Sequence, residues 1–228
     1  MHFNWTQLIP GVGHDYTHVA TLIIVSILIL LMGVVARANL GHGEAAIIPT
    51  EKFSIRGIFE VFTEYIGGLS DQVIGPHGRL FAPYFAAIFT YILFNNFVGL
   101  IPGMTPATEN FNTTFAFGVF SFLAYNVVGL KEGGLGYLKH FLGPVIWLAP
   151  LMLIIELISH IIRPLTLGLR LANVMTGDHT VLSVFLGLFP LGPAIPFYAM
   201  GLLVCTIQAF VFTLLSMVYI ALATAHDH

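Results

Sequence analysis

The sequence predicts an all-α polytopic membrane protein. About five transmembrane helices are expected, including a long tilted C-terminal helical hairpin, together with an amphipathic surface helix. Three observations carry this. Of 228 residues, 57% are hydrophobic and only 8% charged, where soluble domains carry ~25% charged residues. Five apolar runs match or exceed the ~20 residues needed to cross the hydrocarbon core. The Lys and Arg residues outside the last two runs all flank spans. The chain reads as a single integral membrane domain over 1–228. It divides into an N-terminal span (1–40), an amphipathic cytoplasmic segment (41–79), two spans with a cytoplasmic loop (80–144) and the long hairpin (145–228).

The first span, 17–36, is uniformly apolar and ends at Arg37. Segment 52–73 interleaves Phe53, Ile55, Ile58, Phe59, Phe62 and Ile66 with Arg56, Glu60, Glu64 and Asp71. That pattern predicts an amphipathic helix at the membrane surface. The second span, 80–101, is expected to be interrupted at Asn95-Asn96 and to end at Pro102-Gly103. A short polar loop, 104–112, leads to the third span, 113–130. Segment 131–143 is Gly-rich and carries Lys131, Glu132 and Lys139. Two long apolar stretches follow, 145–189 and 193–225, divided by a tight turn at Pro190-Leu191-Gly192-Pro193. The first would reach ~65 Å as one helix, about twice the bilayer core. It must tilt, kink at Pro164, or form two helices.

Composition also excludes functions. A net charge of −3 is too small to suggest nucleic acid. A single cysteine, Cys205, rules out an intrachain disulfide and any CxxC-type metal site. Residues 1–16 hold no Lys or Arg, so the start does not read as a signal peptide. His14 and His18 would share a helical face, but two ligands do not close a metal site. His226 and His228 read as solvated. No metal and no cofactor are expected.

Orientation follows from the cations. With the N-terminus outside, Arg37, Lys52, Arg56, Arg79, Lys131 and Lys139 all fall on the cytoplasmic side. Five spans then put the C-terminus inside.

Two cations remain, Arg163 and Arg170, and both lie within the first long apolar stretch. A cation at the bilayer centre costs ~2.5–3.5 kcal/mol on insertion scales. Guanidinium cannot escape that cost by losing its proton. Arg170 must therefore face protein, water or a mobile anion. Seven polar or small residues of this stretch, Glu156, Ser159, Arg163, Thr166, Arg170, Asn173 and Gly177, are spaced alternately by three and four. On a continuous helix they form one stripe. Such a stripe faces protein or an aqueous cleft. Glu156 and Arg163 stand seven apart, so a direct ion pair between them would be strained. The second long stretch has one amide, Gln208, and no charge between Asp178 and Asp227. Generic interhelical hydrogen bonding is its plain reading. In a hairpin turning at 190–193, however, Gln208 comes to a depth comparable with Arg170.

These residues resemble a known family. Leu167-Gly168-Leu169-Arg170-Leu171 with Asn173 and Gly177 is similar to the signature of subunit a of the F-type ATP synthase. Ile207-Gln208-Ala209-Phe210-Val211-Phe212 with Val218-Tyr219-Ile220 resembles that family's last helix. Asn95-Asn96-Phe97-Val98-Gly99-Leu100-Ile101-Pro102-Gly103 and Asn110-Phe111-Asn112-Thr113-Thr114 match in order, and Glu156 and Ser159 fall at the family's spacing before the arginine. The resemblance covers about residues 50–225. The family usually places Asn and Gly one residue farther from the arginine. A single-residue deletion accounts for both shifts and aligns Asp178 with an acidic family position. Where the family often has an ionisable side chain, seven residues before the glutamine, this chain has Gly201.

The resemblance implies an ion-conducting stator in a bacterial inner membrane. Two offset half-channels would pass protons to and from a rotating ring of carboxylate-bearing proteolipid c subunits. Arg170 would be the essential charge facing the ring carboxylate, with Gln208 near it. Glu156 and Ser159 would line the cytoplasmic path; Asn173, Asp178 and His179 the outer one. Peripheral stalk b subunits, the rest of the synthase and membrane lipid would be the other partners. The chain carries no nucleotide-binding motif, so ATP chemistry would belong to those partners. The competing reading is an ion-coupled secondary transporter, but such folds usually show paired halves, and no internal repeat is evident. An intramembrane hydrolase is disfavoured because Ser159 and His160 are sequence neighbours, about 100° apart on a helix.

Overall fold

The structure, a computed structural model, describes residues 5–8, 13, 16–38, 54–76, 78–134, 149–188 and 194–224. The protein is all-α, and among the described residues five helices are long and apolar enough to cross a membrane. The predicted surface segment's start with Lys52, the loop holding Lys139, the turn at 190–193, His14, His226 and His228 lie outside the described residues. Two compact units are present, Met1–Ala107 and Thr108–His228.

In the first unit, α1 (Thr17–Ala38) matches the predicted first span and buries only Thr21, Val25 and Ala36. The hydroxyls of Ser26 and Tyr91 meet at 2.8 Å and join α1 to α3 (Gly78–Val98). Helix α2 (Ile55–Ile74) is the predicted amphipathic helix. It begins where the Ser54 hydroxyl accepts from the Gly57 backbone N–H, which satisfies an otherwise orphaned donor. It ends at Gly75, whose φ of 95° suits glycine. Its Ile66 is fully buried, and Phe62 packs on Phe89 of α3. Arg56 pairs with Glu60, and Arg79 with Asp71.

The expected interruption at Asn95-Asn96 is absent. Helix α3 runs unbroken to Val98. Both asparagines are buried, and Asn95 Nδ2 donates to the Tyr91 carbonyl one turn back. The amide thus bonds to its own helix instead of competing with it. The helix stops before Gly99, where an added Cβ would meet the Pro106 ring at 2.8 Å.

Among the described residues, the second unit packs three long helices against one another. Helix α4 (Phe111–Gly133) is capped by Asn110, whose side chain accepts from the Asn112 N–H. Helix α5 (Ala149–Leu188) is one continuous element of 40 residues, about 60 Å long. Pro164 removes one backbone bond without breaking it. Of the three options left by sequence, division into two helices is excluded. Helix α6 (Ala194–Thr224) packs against both α4 and α5.

Close approach of α4 and α5 depends on two glycines. A Cβ on Gly118 would collide with the Pro164 carbonyl, and one on Gly168 would lie 2.9 Å from Phe115 Cα. Small residues at such a crossing let backbones touch, which is how helices associate where lipid gives no hydrophobic drive. Ser121 Oγ donates to Ser216 Oγ at 2.8 Å and links α4 to α6.

Candidate functional site

The crossing at Gly168 sets the direction of Arg170. Two residues along a helix turn the side chain by about 200°, so Arg170 points away from α4. Residues His160, Pro164, Leu167, Gly168, Leu171, Ala172 and Met175 are buried. None of the seven stripe residues is. Glu156, Ser159 and Arg163 are half-buried; Thr166, Arg170, Asn173 and Gly177 are exposed. The predicted stripe is real and lies on the outward flank of its unit.

Arg170 makes no hydrogen bond or ion pair with any described residue. Gln208 sits at the edge of the packed face of α6, buried to 6% exposure, and its amide has no hydrogen bond to a described residue either. Gly201, Cys205, Ala209, Phe212, Thr213, Ser216, Met217 and Ile220 complete that face. At Gly177 no atom lies within 4 Å of an added Cβ, so the glycine there is not demanded by packing.

Arg163, unlike Arg170, has partners among the described residues. Its Nη2 reaches Glu156 Oε1 at 3.4 Å, so the pair that the spacing made look strained does form. Two long side chains bridge two helical turns. The Arg163 guanidinium also lies over the ring of Tyr219, 5.7 Å from its centroid, within cation–π range.

Behind this pair is a buried polar cluster that the sequence did not reveal. His160 Nε2 lies 2.9 Å from Asn126 Oδ1, and Nδ1 lies 3.4 Å from the Tyr125 hydroxyl. Asn126 Nδ2 donates to the Phe122 carbonyl, which turns its oxygen toward His160. The Nε2–H therefore donates to Asn126. The His160 ring packs edge-on against Phe122 and Tyr125, and Tyr125 touches Tyr219. His160 has its partners on α4, and Ser159 lies on the neighbouring flank.

Near the other end of α5, His179 Nδ1 lies 3.1 Å from Glu109 Oε2. The Thr176 hydroxyl contacts the Glu109 carbonyl at 3.4 Å. Asp178 is half-buried beside them. Glu109 belongs to the 3₁₀ turn Ala107–Glu109. No sequence pattern joins it to His179, which lies 70 positions further along the chain. Among the described residues no three His, Cys, Asp or Glu side chains gather as metal ligands.

Comparison with known proteins identifies the family. Residues 18–221 match the family described as ATP synthase A chain. ATP synthase subunit a of Bdellovibrio bacteriovorus is 67% identical over 229 aligned residues, covering 100% of both chains. ATP synthase subunit a 3 of Pelobacter propionicus is 41% identical over 208 residues, covering 90% of this chain and 87% of that one. ATP synthase subunit a 1 of Syntrophotalea carbinolica is 48% identical over 174 residues, 76% and 74% of the two chains. A match across most of the chain, with Arg170 and Gln208 inside it, places this polytopic membrane protein in the ATP synthase A chain family.

Proposed function

We propose that the chain is the ion-conducting stator of a rotary ATP synthase. The observation that carries this is Arg170: exposed, unpaired among the described residues, and set on a polar flank of a 40-residue apolar helix. Lipid is a poor neighbour for such a flank. A ring of small c subunits, each with a mid-membrane carboxylate, is a fitting one. Opposite charge favours the deprotonated carboxylate beside Arg170. The same fixed cation bars protons from passing directly between two half-channels. Each proton that crosses at 100 mV supplies ~2.3 kcal/mol to rotation.

In this reading Glu156 and Ser159 line the cytoplasmic path. Asn173, Asp178 and His179 line the outer one, and Glu109 joins them through its pair with His179. Gln208 lies near the ring carboxylate. Peripheral stalk b subunits and the remaining synthase subunits complete the assembly in a bacterial inner membrane, with the N-terminus outside and the C-terminus in the cytoplasm. Purification in mild detergent tests the class: a ring of small proteolipids should accompany the chain in fixed proportion, whereas a transporter would come alone.

A further inference from the structure

Arg163 and Arg170 occupy one flank of α5, seven residues or about 10.5 Å apart. Both are permanent cations. Among the described residues only Arg163 is engaged, by the Glu156 carboxylate at 3.4 Å and by the ring of Tyr219 at 5.7 Å. The clamp is itself braced. Tyr219 rests on Tyr125, and Tyr125 bonds to His160, which Asn126 fixes from α4. Residues from all three helices of the unit thus converge on the placement of one guanidinium.

We infer that Glu156 and Tyr219 sequester Arg163, so that Arg170 is the cation left to meet the ring carboxylate. This rests on the stator reading above. A second mobile guanidinium two turns away would give a passing carboxylate another place to rest. Each such stop delays release, and a motor that must let every carboxylate go would slow. A carboxylate and an aromatic face suit the task. The ion pair cancels the charge, and the ring fixes the planar group with its quadrupole and no hydrogen-bond demand. Glu156 and Tyr219 are positioning residues here, acting through Arg163.

The test is epistasis in inverted membrane vesicles that hold the whole synthase. ATP-driven acidification is measured at equal subunit content by immunoblot, with Arg163→Gln as the reference. Tyr219→Leu frees the guanidinium and should lower pumping severalfold, while Tyr219→Phe keeps the ring and the rate. Combining Tyr219→Leu with Arg163→Gln should restore the rate of Arg163→Gln alone. Glu156→Gln, alone and with Arg163→Gln, provides a second route should Tyr219→Leu assemble poorly, and at least partial recovery is expected. Wild-type pumping by Tyr219→Leu, or double variants no faster than the slow singles, would overturn the inference. Arg170→Ala run alongside separates the two levels. If it is inactive and the rescue is still absent, sequestration fails and the stator reading stands. If it pumps, both fall.

Discussion

Gly168 of α5 lies so close to Phe115 of α4 that a Cβ there would stand 2.9 Å from the Phe115 Cα and 3.0 Å from the Thr114 carbonyl. Neither neighbour is a flexible side-chain end, so the helices must separate to admit one. Because Arg170 is two residues on, the same contact that joins the helices turns the arginine outward. Gly168→Ala should cost about 1–3 kcal/mol by overpacking, and Gly168→Val more. Gly177→Ala should cost far less, since its surroundings are open. Melting of the detergent-solubilised protein, followed by its loss from the soluble fraction, checks the order of the three variants.

His160 is expected to support the structure behind the cytoplasmic path. His160→Ala removes one hydrogen-bond partner each from the buried Tyr125 hydroxyl and the half-buried Asn126 amide, at a cost of about 1 kcal/mol. His160→Gln keeps one polar group in reach and should recover part of that loss. The same melting assay reads both. Equal stability of His160→Ala and the wild type would show that water replaces the ring without penalty.

Much of this architecture was legible in the sequence. Spans are governed by length and apolar continuity, so α1 and the two long helices appear where those runs lie. The stripe on α5 was legible because spacing by three and four survives any rotation of a helix. Local bonds moved the finer features. Ser54 sets the start of α2, and the Asn95 back-bond erases the expected break in α3. Contacts between distant segments were hidden. Tyr219 over Arg163, His179 against Glu109, and Tyr125 with Asn126 around His160 all join different helices or turns. No periodicity within one segment encodes them. The stripe's spacing argued against the Glu156–Arg163 pair because it counts Cα positions and ignores the reach of two long side chains.

Three residues near the Glu109 end of α5 carry separable predictions. Glu109 and His179 form a pair, so Glu109→Gln and His179→Ala should slow ion-driven ATP synthesis, and the double variant should be little worse than either single. The resemblance aligns Asp178 with an acidic family position once one residue is deleted. Asp178→Asn should slow synthesis more than His179→Ala does, with assembly intact. Synthesis rates in energised vesicles decide. A normal rate in Asp178→Asn beside a loss in His179→Ala would move the path onto the Glu109–His179 pair alone.

Topology can be read with an impermeant thiol reagent. The native Cys205 is 2% exposed and should stay silent. Single cysteines in place of Asn4 and Pro102 should label from outside. Those replacing Ala45, Leu135 and His226 should label only after the membrane is opened. Position 102 serves better than 107, because Ala107 is fully buried. Outside labelling at 226 would reverse the assignment of the C-terminus.

The central claim is that Arg170 governs the exchange of protons between the ring and the two paths. The most direct measurement is ATP-driven acidification and passive proton leak in inverted vesicles carrying Arg170→Ala, with immunoblots for ring and stator content. Fully assembled complexes should not pump. Nothing would then favour release of the ring proton at the boundary between the paths. Passive leak should rise, since the barrier between the paths is also removed. Arg170→Lys should fail nearly as fully, because a compact amine can lose its proton in apolar surroundings and the guanidinium cannot. Robust pumping by assembled Arg170→Ala complexes would contradict the account and leave Arg170 a structural charge.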